Sequence, residues 1–156
     1  MVDVVDRQTR SRMMSGIRGK NTRPELLIRK GLHARGFRFR LHGRHLPGKP
    51  DLVLPKYSAV IFVHGCFWHG HDCHIFKMPR QEAWQAKIRG NMARDRENLA
   101  AYEIEGWKVL RVWECAIQGK TALPSLELSS VLANWLLYDP QSAEIRGRER
   151  PKGKLK

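Results

Sequence analysis

The chain has 156 residues, 42% of them hydrophobic, which is enough to bury one core but too little for two full domains. Lysine and arginine number 29 against 15 acidic residues, and the net charge of +14 favours a polyanion such as nucleic acid as the partner. No apolar run reaches the length of a membrane span, the first residues lack a signal-peptide pattern and no amphipathic anchor is evident, so the sequence predicts a cytoplasmic protein that does not bind membranes.

The N-terminal residues 1–21 are polar and basic, and we interpret them as a basic arm with one short helix at most. A longer helix should begin at Thr22, because Glu25 follows at the spacing of a capping box. This helix should end at Gly36, where glycine can adopt the left-handed conformation that stops a helix.

Three strands are predicted next. Phe37–Leu41 alternates between apolar and polar residues, as a half-buried strand does. The prolines and glycines of residues 43–50 indicate a turn. Two apolar runs, Asp51–Leu54 and Ala59–Val63, then form adjacent strands around the short link 55–58.

The second half of the chain holds two more helices and one strand. Residues 84–105 should form a long helix that Gly106 ends, and Trp107–Trp113 should form a strand. Leu126–Leu137 should form the last helix. The apolar positions expected to face the core are Trp84, Ile88, Met92, Leu99 and Tyr102 in the long helix and Val131, Leu132, Trp135 and Leu136 in the last one.

This order of elements predicts an α/β fold with a central mixed β-sheet flanked by helices, in one domain over residues 22–138. The hairpin-like middle of the chain argues against a fully parallel sheet. From Asp139 onward the chain turns polar and basic, which indicates a disordered tail over residues 139–156. We expect a monomer.

Four of the seven histidines and two of the three cysteines lie between His64 and His74, directly after a predicted strand. Cys66, His71 and Cys73, with Cys115 from the end of another strand, make the Cys3His set of a closed structural zinc site. His74 or His69 could replace His71 in that set. Alternatively, Cys115 is a small buried side chain and the histidines are solvated.

Asp51 opens a strand beside this cluster, and a carboxylate in that place suits Mg²⁺, the metal that phosphodiester hydrolysis commonly uses. His64 and His69 could then carry protons, since imidazole titrates near working pH. Each residue also has a plainer explanation: Pro-Asp pairs are mostly turns, Glu25 is accounted for by its cap, and either histidine could bind zinc.

Taken together, these residues resemble the very short patch repair endonucleases, the Vsr-type mismatch nickases of the restriction-endonuclease-like superfamily. The likeness covers roughly residues 9 to 116, as judged from the motifs alone. The matching pieces are Thr9-Arg10-Ser11 with Met14 and Ile17, Glu25, Leu46–Asp51, Phe62–His69, Lys87-Ile88, Asn91, Arg94-Asp95, and Gly106-Trp107 through Trp113-Glu114-Cys115.

The resemblance implies a Mg²⁺-dependent enzyme that recognises a T:G mismatch in double-stranded DNA, left when 5-methylcytosine deaminates, and nicks the strand 5′ to the T. It implies that Asp51 binds the catalytic metal with help from the Val63 backbone carbonyl, that His69 is the general base, and that His64 and Glu25 support the site. Cys66, His71, Cys73 and Cys115 fall on the family's zinc positions, and Phe67, Trp68 and Trp84 fall on its aromatic wedge.

The DNA contacts expected of this chain are of two kinds. The wedge would sense weakened stacking at a mismatch, whereas Arg10 and Arg12 of the arm would meet phosphates. Phe67 and Trp68 could instead be ordinary core over the zinc site. Two other functions use parts of the same pattern: a zinc-stabilised DNA-binding protein without catalysis, and a restriction-type nuclease that cuts both strands.

Overall fold

A computed structural model describes residues 21–148 of the chain. Its helices are α1 (Arg23–Ala34), α2 (Glu82–Ile104), α3 (Glu114–Ile117) and α4 (Ser125–Tyr138), with a single 3-10 turn at Pro55–Tyr57. Its strands are β1 (Arg40–Leu41), β2 (Leu52–Leu54), β3 (Ala59–His64), β4 (Lys108–Trp113) and β5 (Ala143–Ile145). The predicted arm, with Arg10 and Arg12, lies outside the described residues apart from Asn21.

The five strands form one mixed sheet in the order β1-β2-β3-β4-β5. The first two pairs are antiparallel and the last two are parallel, so the prediction of a mixed sheet is confirmed. In β3, Ala59 and Ile61 face the core under α1 and α4, while Val60 and Phe62 face the side that α2 covers. Burial on both faces explains why this strand is a continuous apolar run.

The start of α1 follows the predicted cap only in part. The backbone N–H of Glu25 donates to Thr22 Oγ1 over 3.4 Å, as expected. The Glu25 carboxylate, however, accepts from the N–H of Asn21 at 2.9 Å, one residue before the capping position. Glu25 is only 4% exposed, so this hydrogen bond stabilises an acidic group inside the protein, close to Asp51.

The first strand is much shorter than predicted. Only Arg40 and Leu41 pair with β2. Phe37 is instead held against the end of α1, because its N–H donates to the Leu32 carbonyl over 3.1 Å and its ring is buried. The alternation of Phe37–Leu41 therefore reflects packing beneath a helix as much as strand pairing.

The region after Asp139, predicted as a disordered tail, contains β5. Ala143 and Ile145 pair in parallel with Leu110 and Val112 of β4, and Ile145 is buried. So short a strand was missed because its two apolar residues stand among polar neighbours. One further correction concerns Val131, which is 38% exposed on the outer face of α4 rather than inward. Within residues 21–148, no helix is both long and apolar enough to span a lipid bilayer.

Candidate active site and metal centres

One end of the sheet collects the chemically active residues. β3 and β4 are parallel and both end there, at His64 and Trp113. β2 runs the other way and begins there, directly after Asp51. Three clusters of potential metal ligands lie at this end among the described residues.

The first is the Cys/His cluster of Cys66, His71, Cys73 and Cys115, whose ligand atoms all lie within 4.8 Å of one another. Backbone groups support two of the sulfurs: the N–H of Cys115 donates to Cys66 Sγ over 3.4 Å, and the N–H of Gly147 donates to Cys115 Sγ over 3.3 Å. The His71 ring stacks on Trp113 with centroids 4.1 Å apart. His74 is exposed and is not in the cluster.

The chemistry of this cluster fits a zinc ion. A tetrahedral site with Zn–S bonds of about 2.3 Å has ligand atoms roughly 3.8 Å apart, within the spread observed here. Burial and the neighbouring cysteines raise the pKa of the Cys66 thiol, and burial also raises the pKa of Cys115. A bound cation is what would make closely spaced thiolates stable in such a place.

The second cluster joins Asp51 with Glu25 and His42. The N–H of Val63 donates to Asp51 Oδ2 over 2.6 Å. Burial raises the Asp51 pKa from 3.8 to about 7 against the lowering effect of that hydrogen bond, and the adjacent Glu25 raises it further. Two carboxylates this close and this buried provide the hard oxygen ligands that Mg²⁺ prefers.

Arg29 balances part of that charge. Its Nη2 lies 3.1 Å from Glu25 Oε2 and 3.2 Å from His42 Nε2, and its Nη1 donates to Asn21 Oδ1 over 2.8 Å. The guanidinium therefore holds Glu25 in a fixed position. Arg29 also lowers the pKa of Asp51, but by less than burial raises it. A bound cation would therefore favour the ionised form of this carboxylate.

The third cluster contains His64, His69 and Asp95. His69 Nδ1 lies 2.6 Å from Asp95 Oδ2, and the His64 ring stacks flat on the His69 ring at 3.8 Å with 2° between the planes. Burial is the main cause that lowers the pKa of His64 to about 3, so this imidazole is neutral at physiological pH. His64 directly follows Val63, which ties this cluster to Asp51.

An aromatic patch of Phe67, Trp68, Phe76 and Trp84 lies next to these clusters. The Phe67 and Trp68 rings meet edge to face at 5.0 Å, and Trp68 and Trp84 are 5.3 Å apart. The Lys87 ammonium lies 5.0 Å from the Trp68 ring and 5.8 Å from the Trp84 ring. All four rings are only half-buried, unlike the core residue Trp113.

The structure thus brings together the predicted site residues that it describes, which excludes Arg10 and Arg12, and adds two residues that sequence reasoning did not select. Asp95 lies two helical turns after the buried Ile88, so an inward-facing carboxylate could have been inferred from helical spacing. His42 gave no such signal, because it follows an exposed strand and its role depends on contacts with α1. The Val63 N–H contacts Asp51, while a role for the Val63 carbonyl stays a prediction.

Comparison with known proteins agrees with this geometry. The family model described as DNA mismatch endonuclease Vsr matches residues 2–75. The type II nicking enzyme V.XorIIP of Xanthomonas oryzae is 48% identical over 125 residues, which are 79% of this chain and 92% of the relative. DNA mismatch endonuclease Vsr of Escherichia coli is 42% identical over 147 residues, 93% of this chain and 94% of the relative.

A third relative, the type II nicking enzyme V.NmeAIP of Neisseria meningitidis, is 43% identical over 122 residues, 77% of this chain and 87% of the relative. Identity at this level over most of both chains shows a shared family, and not only a match of short motifs. The chain belongs to the Vsr family of DNA mismatch endonucleases.

Proposed function

We propose that the protein is a Mg²⁺-dependent nickase that cuts one strand 5′ to the T of a T:G mismatch left by deamination of 5-methylcytosine. The observation that carries the proposal is the 2.6 Å contact between His69 and Asp95, beside the cluster that joins Asp51 and Glu25. The first group can move a proton and the second can hold a hard cation, which are the two tasks of phosphodiester hydrolysis.

His69 is the general base in this proposal. A carboxylate can only accept a hydrogen bond, so Asp95 holds the proton of His69 on Nδ1 and leaves the lone pair on Nε2. The His69 side chain is 25% exposed, which gives an attacking water access to that nitrogen. Asp95 then stabilises the imidazolium that forms when His69 takes the proton.

His64 supports His69 without adding charge. Its pKa of about 3 keeps it neutral, so it can stack on His69 without repelling the positive charge that develops there. The rigid strand position of His64 also restricts rotation of the His69 ring, which keeps the base in one orientation.

Asp51 would bind Mg²⁺, with Glu25 nearby and the Val63 carbonyl assisting. Bound there, the ion would polarise the phosphate and acidify a water molecule. Asp51 is fixed by the Val63 N–H, and Glu25 is fixed by Arg29 and Asn21. These hydrogen bonds set the carboxylates in place before any metal or DNA arrives.

The Cys/His cluster would hold a structural Zn²⁺ ion. The ion would connect the loop that carries Phe67, Trp68 and His69 to Cys115 in α3, directly after β4. All four of its protein ligands are used in holding the metal, so the site has no open position for catalysis. Cys115→Ser should therefore lose the metal and unfold the loop.

Mismatch recognition would come from insertion of Phe67 and Trp68, with Trp84, beside the T:G pair. Inserting rings between base steps requires unstacking, which takes less free energy where a wobble pair already weakens the stack. The half-buried state of these rings leaves apolar surface for that contact. Arg10 and Arg12 would add contacts to phosphates that do not depend on sequence.

Single-turnover nicking of a T:G duplex and its matched counterpart, with and without Mg²⁺, tests the proposal. Asp51→Ala should abolish nicking while mismatch binding stays within about tenfold, and His69→Ala should slow the chemical step by roughly 100-fold or more. Glu97→Gln serves as a control because Glu97 is an exposed acid on α2. Nicking that persists without divalent metal, or cleavage of both strands, contradicts the proposal.

Binding isotherms test the wedge. Phe67→Ala and Trp68→Ala should each reduce the preference for T:G over matched DNA by roughly one to two decades, since a stacking ring contributes about 1–3 kcal/mol. Zinc content must match the wild type in both variants. Equal loss of affinity for both duplexes would show that the rings are general contacts rather than mismatch sensors.

A further inference from the structure

A basic groove opens beside His69, between the loop that joins β1 to β2 and helix α2. The loop supplies Arg44, His45 and Lys49 to one wall, and α2 supplies Asn91 and Arg94 to the other. His69 also lines this groove, so the groove reaches the proposed general base.

The groove carries unbalanced positive charge. Arg44, Lys49 and Arg94 are exposed, and within residues 21–148 none of the three forms an ion pair with a carboxylate. The acid in the groove, Asp95, is already engaged by His69 at 2.6 Å. Arg94 donates a hydrogen bond to Asn91 Oδ1, which is neutral and leaves the charge in place. Cations without carboxylate partners next to a hydrolytic site attract an extended anion.

The loop wall is held in place before any ligand binds. Tyr102 of α2 donates its hydroxyl to the Pro47 carbonyl over 2.6 Å, and the N–H of Gly43 donates to the Pro50 carbonyl over 3.0 Å. Gly48 packs so closely that a Cβ there would lie 2.6 Å from Asn98 Nδ2. The same loop ends in Asp51, so the basic wall and the proposed metal ligand keep a fixed spacing.

We propose that this groove holds successive phosphates of the strand being nicked, immediately next to the cleaved phosphate. The inference rests on the proposed function for the identity of the cleaved strand. The contacts are to charged oxygens and carry no base information, so the groove positions the scissile phosphate against His69 while the aromatic patch reads the mismatch. Fixing the reacting phosphate in this way is a large part of what a hydrolase must achieve.

The first test is the salt dependence of binding, measured without divalent metal so that no cleavage occurs. Arg44→Gln/Lys49→Gln should reduce the slope of log K against log salt by about 2, because each lost phosphate contact removes about 0.9. Affinity should fall by the same factor for T:G and matched duplexes. The control is Lys30→Gln/Lys56→Gln, which removes two exposed charges, one of them in the turn at the opposite end of β2 and β3. An equal fall in slope for both double variants would overturn the proposal.

The second test locates the groove on the DNA. Single phosphates of the nicked strand are replaced by neutral methylphosphonates, one position at a time. A methylphosphonate at any of two or three adjacent positions on one side of the nick should weaken binding of the wild type but not of Arg44→Gln/Lys49→Gln. In a double-mutant cycle, this result means that the DNA change and the protein change remove the same contact. Identical profiles for the wild type and the variant would overturn the proposal.

The experiments distinguish an error in the groove inference from an error in the proposed function. If the wild type shows neither T:G preference nor nicking while the two slopes still differ as expected, the function is wrong and the groove remains a DNA-binding surface. If the wild type nicks T:G duplexes and the slopes do not differ, the groove inference alone is wrong. Melting temperatures equal to that of the wild type show that both double variants are folded.

Discussion

His69 and Asp95 meet because a loop is pressed onto a helix. Asn91 Nδ2 of α2 donates to the Trp68 carbonyl over 3.0 Å, one residue before His69. Gly70, one residue after it, packs against the same helix, where a Cβ would lie 2.5 Å from Met92 Sδ. The loop is thus fixed on both sides of His69, which accounts for the short contact with Asp95.

Asp95→Asn should slow single-turnover nicking by about 100-fold or more, with DNA binding unchanged within a few-fold. The amide is nearly isosteric, but it stabilises neither the correct tautomer of His69 nor the imidazolium. The rate is measured on a T:G duplex at saturating enzyme, beside Glu97→Gln as the control. A rate within a factor of three of the wild type would mean that Asp95 has only a structural role.

Asp51 should make stability depend on pH in a definite direction. Folding raises its pKa from 3.8 to about 7, so its contribution is fully present below the unfolded pKa and is lost as pH rises through 7. With about 1.4 kcal/mol for each pKa unit, the Mg²⁺-free protein should be roughly 3 kcal/mol less stable at pH 8 than at pH 5 from this group.

Denaturant unfolding at both pH values measures this effect, with the metal content of the protein kept the same at each pH. Asp51→Asn should remove most of the difference, because the amide does not titrate. Added Mg²⁺ should stabilise the wild type at pH 8 more than at pH 5, since a deprotonated carboxylate binds the ion. A pH dependence that Asp51→Asn leaves unchanged would assign the effect to another group.

At the scale of elements, the loop between β1 and β2 depends on one glycine. Gly48 has φ of +70° and lies against Asn98, and a Cβ there would also come within 3.1 Å of the Phe62 ring. Gly36, after α1, has φ of +87° with nothing within 4 Å of a Cβ. Comparing substitutions at the two glycines therefore separates the effect of backbone strain from the effect of close packing.

Gly36→Ala should destabilise the protein by about 1 kcal/mol, the usual strain of a left-handed residue. Gly48→Ala should cost more, about 2–4 kcal/mol in all, because packing strain adds to that of the backbone. Chemical unfolding of the two variants and of Gly48→Ala/Asn98→Ala checks this. The Asn98 change should recover part of the loss, and equal values for the two single variants would contradict the packing argument.

The elements with strong local signals were predicted well. The long helix α2 and strands β3 and β4 were found nearly to their ends, because their apolar runs and the stop at Gly106 are encoded locally. The bounds of β1 were wrong and β5 was missed, because each strand is only a few residues long and forms by pairing with a neighbouring strand. The Cys/His cluster could likewise be recognised in the sequence from its residue types. His42, in contrast, comes close to Asp51 only because separate elements pack together.

At the scale of the whole molecule, the sheet and the Cys/His cluster are joined by the segment after α4. β5 pairs with β4, and two residues later the N–H of Gly147 donates to Cys115 Sγ over 3.3 Å. Arg146 donates to the Asp72 carbonyl over 2.6 Å, which links the same segment to the loop of the cluster. The last strand of the restriction-endonuclease-like fold thereby supports the loop that carries His69.

Gly147→Ala tests this connection. A Cβ at Gly147 would clash with the Cys115 carbonyl oxygen and lie 2.8 Å from that of Thr121, and these backbone atoms cannot move aside alone. The segment should shift and lose its hydrogen bond to Cys115 Sγ. Because such supporting contacts typically change metal affinity by about 10–100-fold, zinc should transfer to a competing chelator at least about tenfold more readily, and nicking should fall with it.

Gly90→Ala provides the matched control, since Gly90 lies within α2 and a Cβ there meets only the end of the Arg94 side chain at 3.6 Å. That substitution should leave zinc affinity unchanged and raise stability by up to about 1 kcal/mol through helix propensity. Zinc affinity is measured by competition with a chromogenic chelator, and stability by chemical unfolding. If Gly147→Ala retains zinc as tightly as Gly90→Ala, the segment after α4 packs beside the cluster without supporting it, and the loop that carries His69 is held by the cluster and α2 alone.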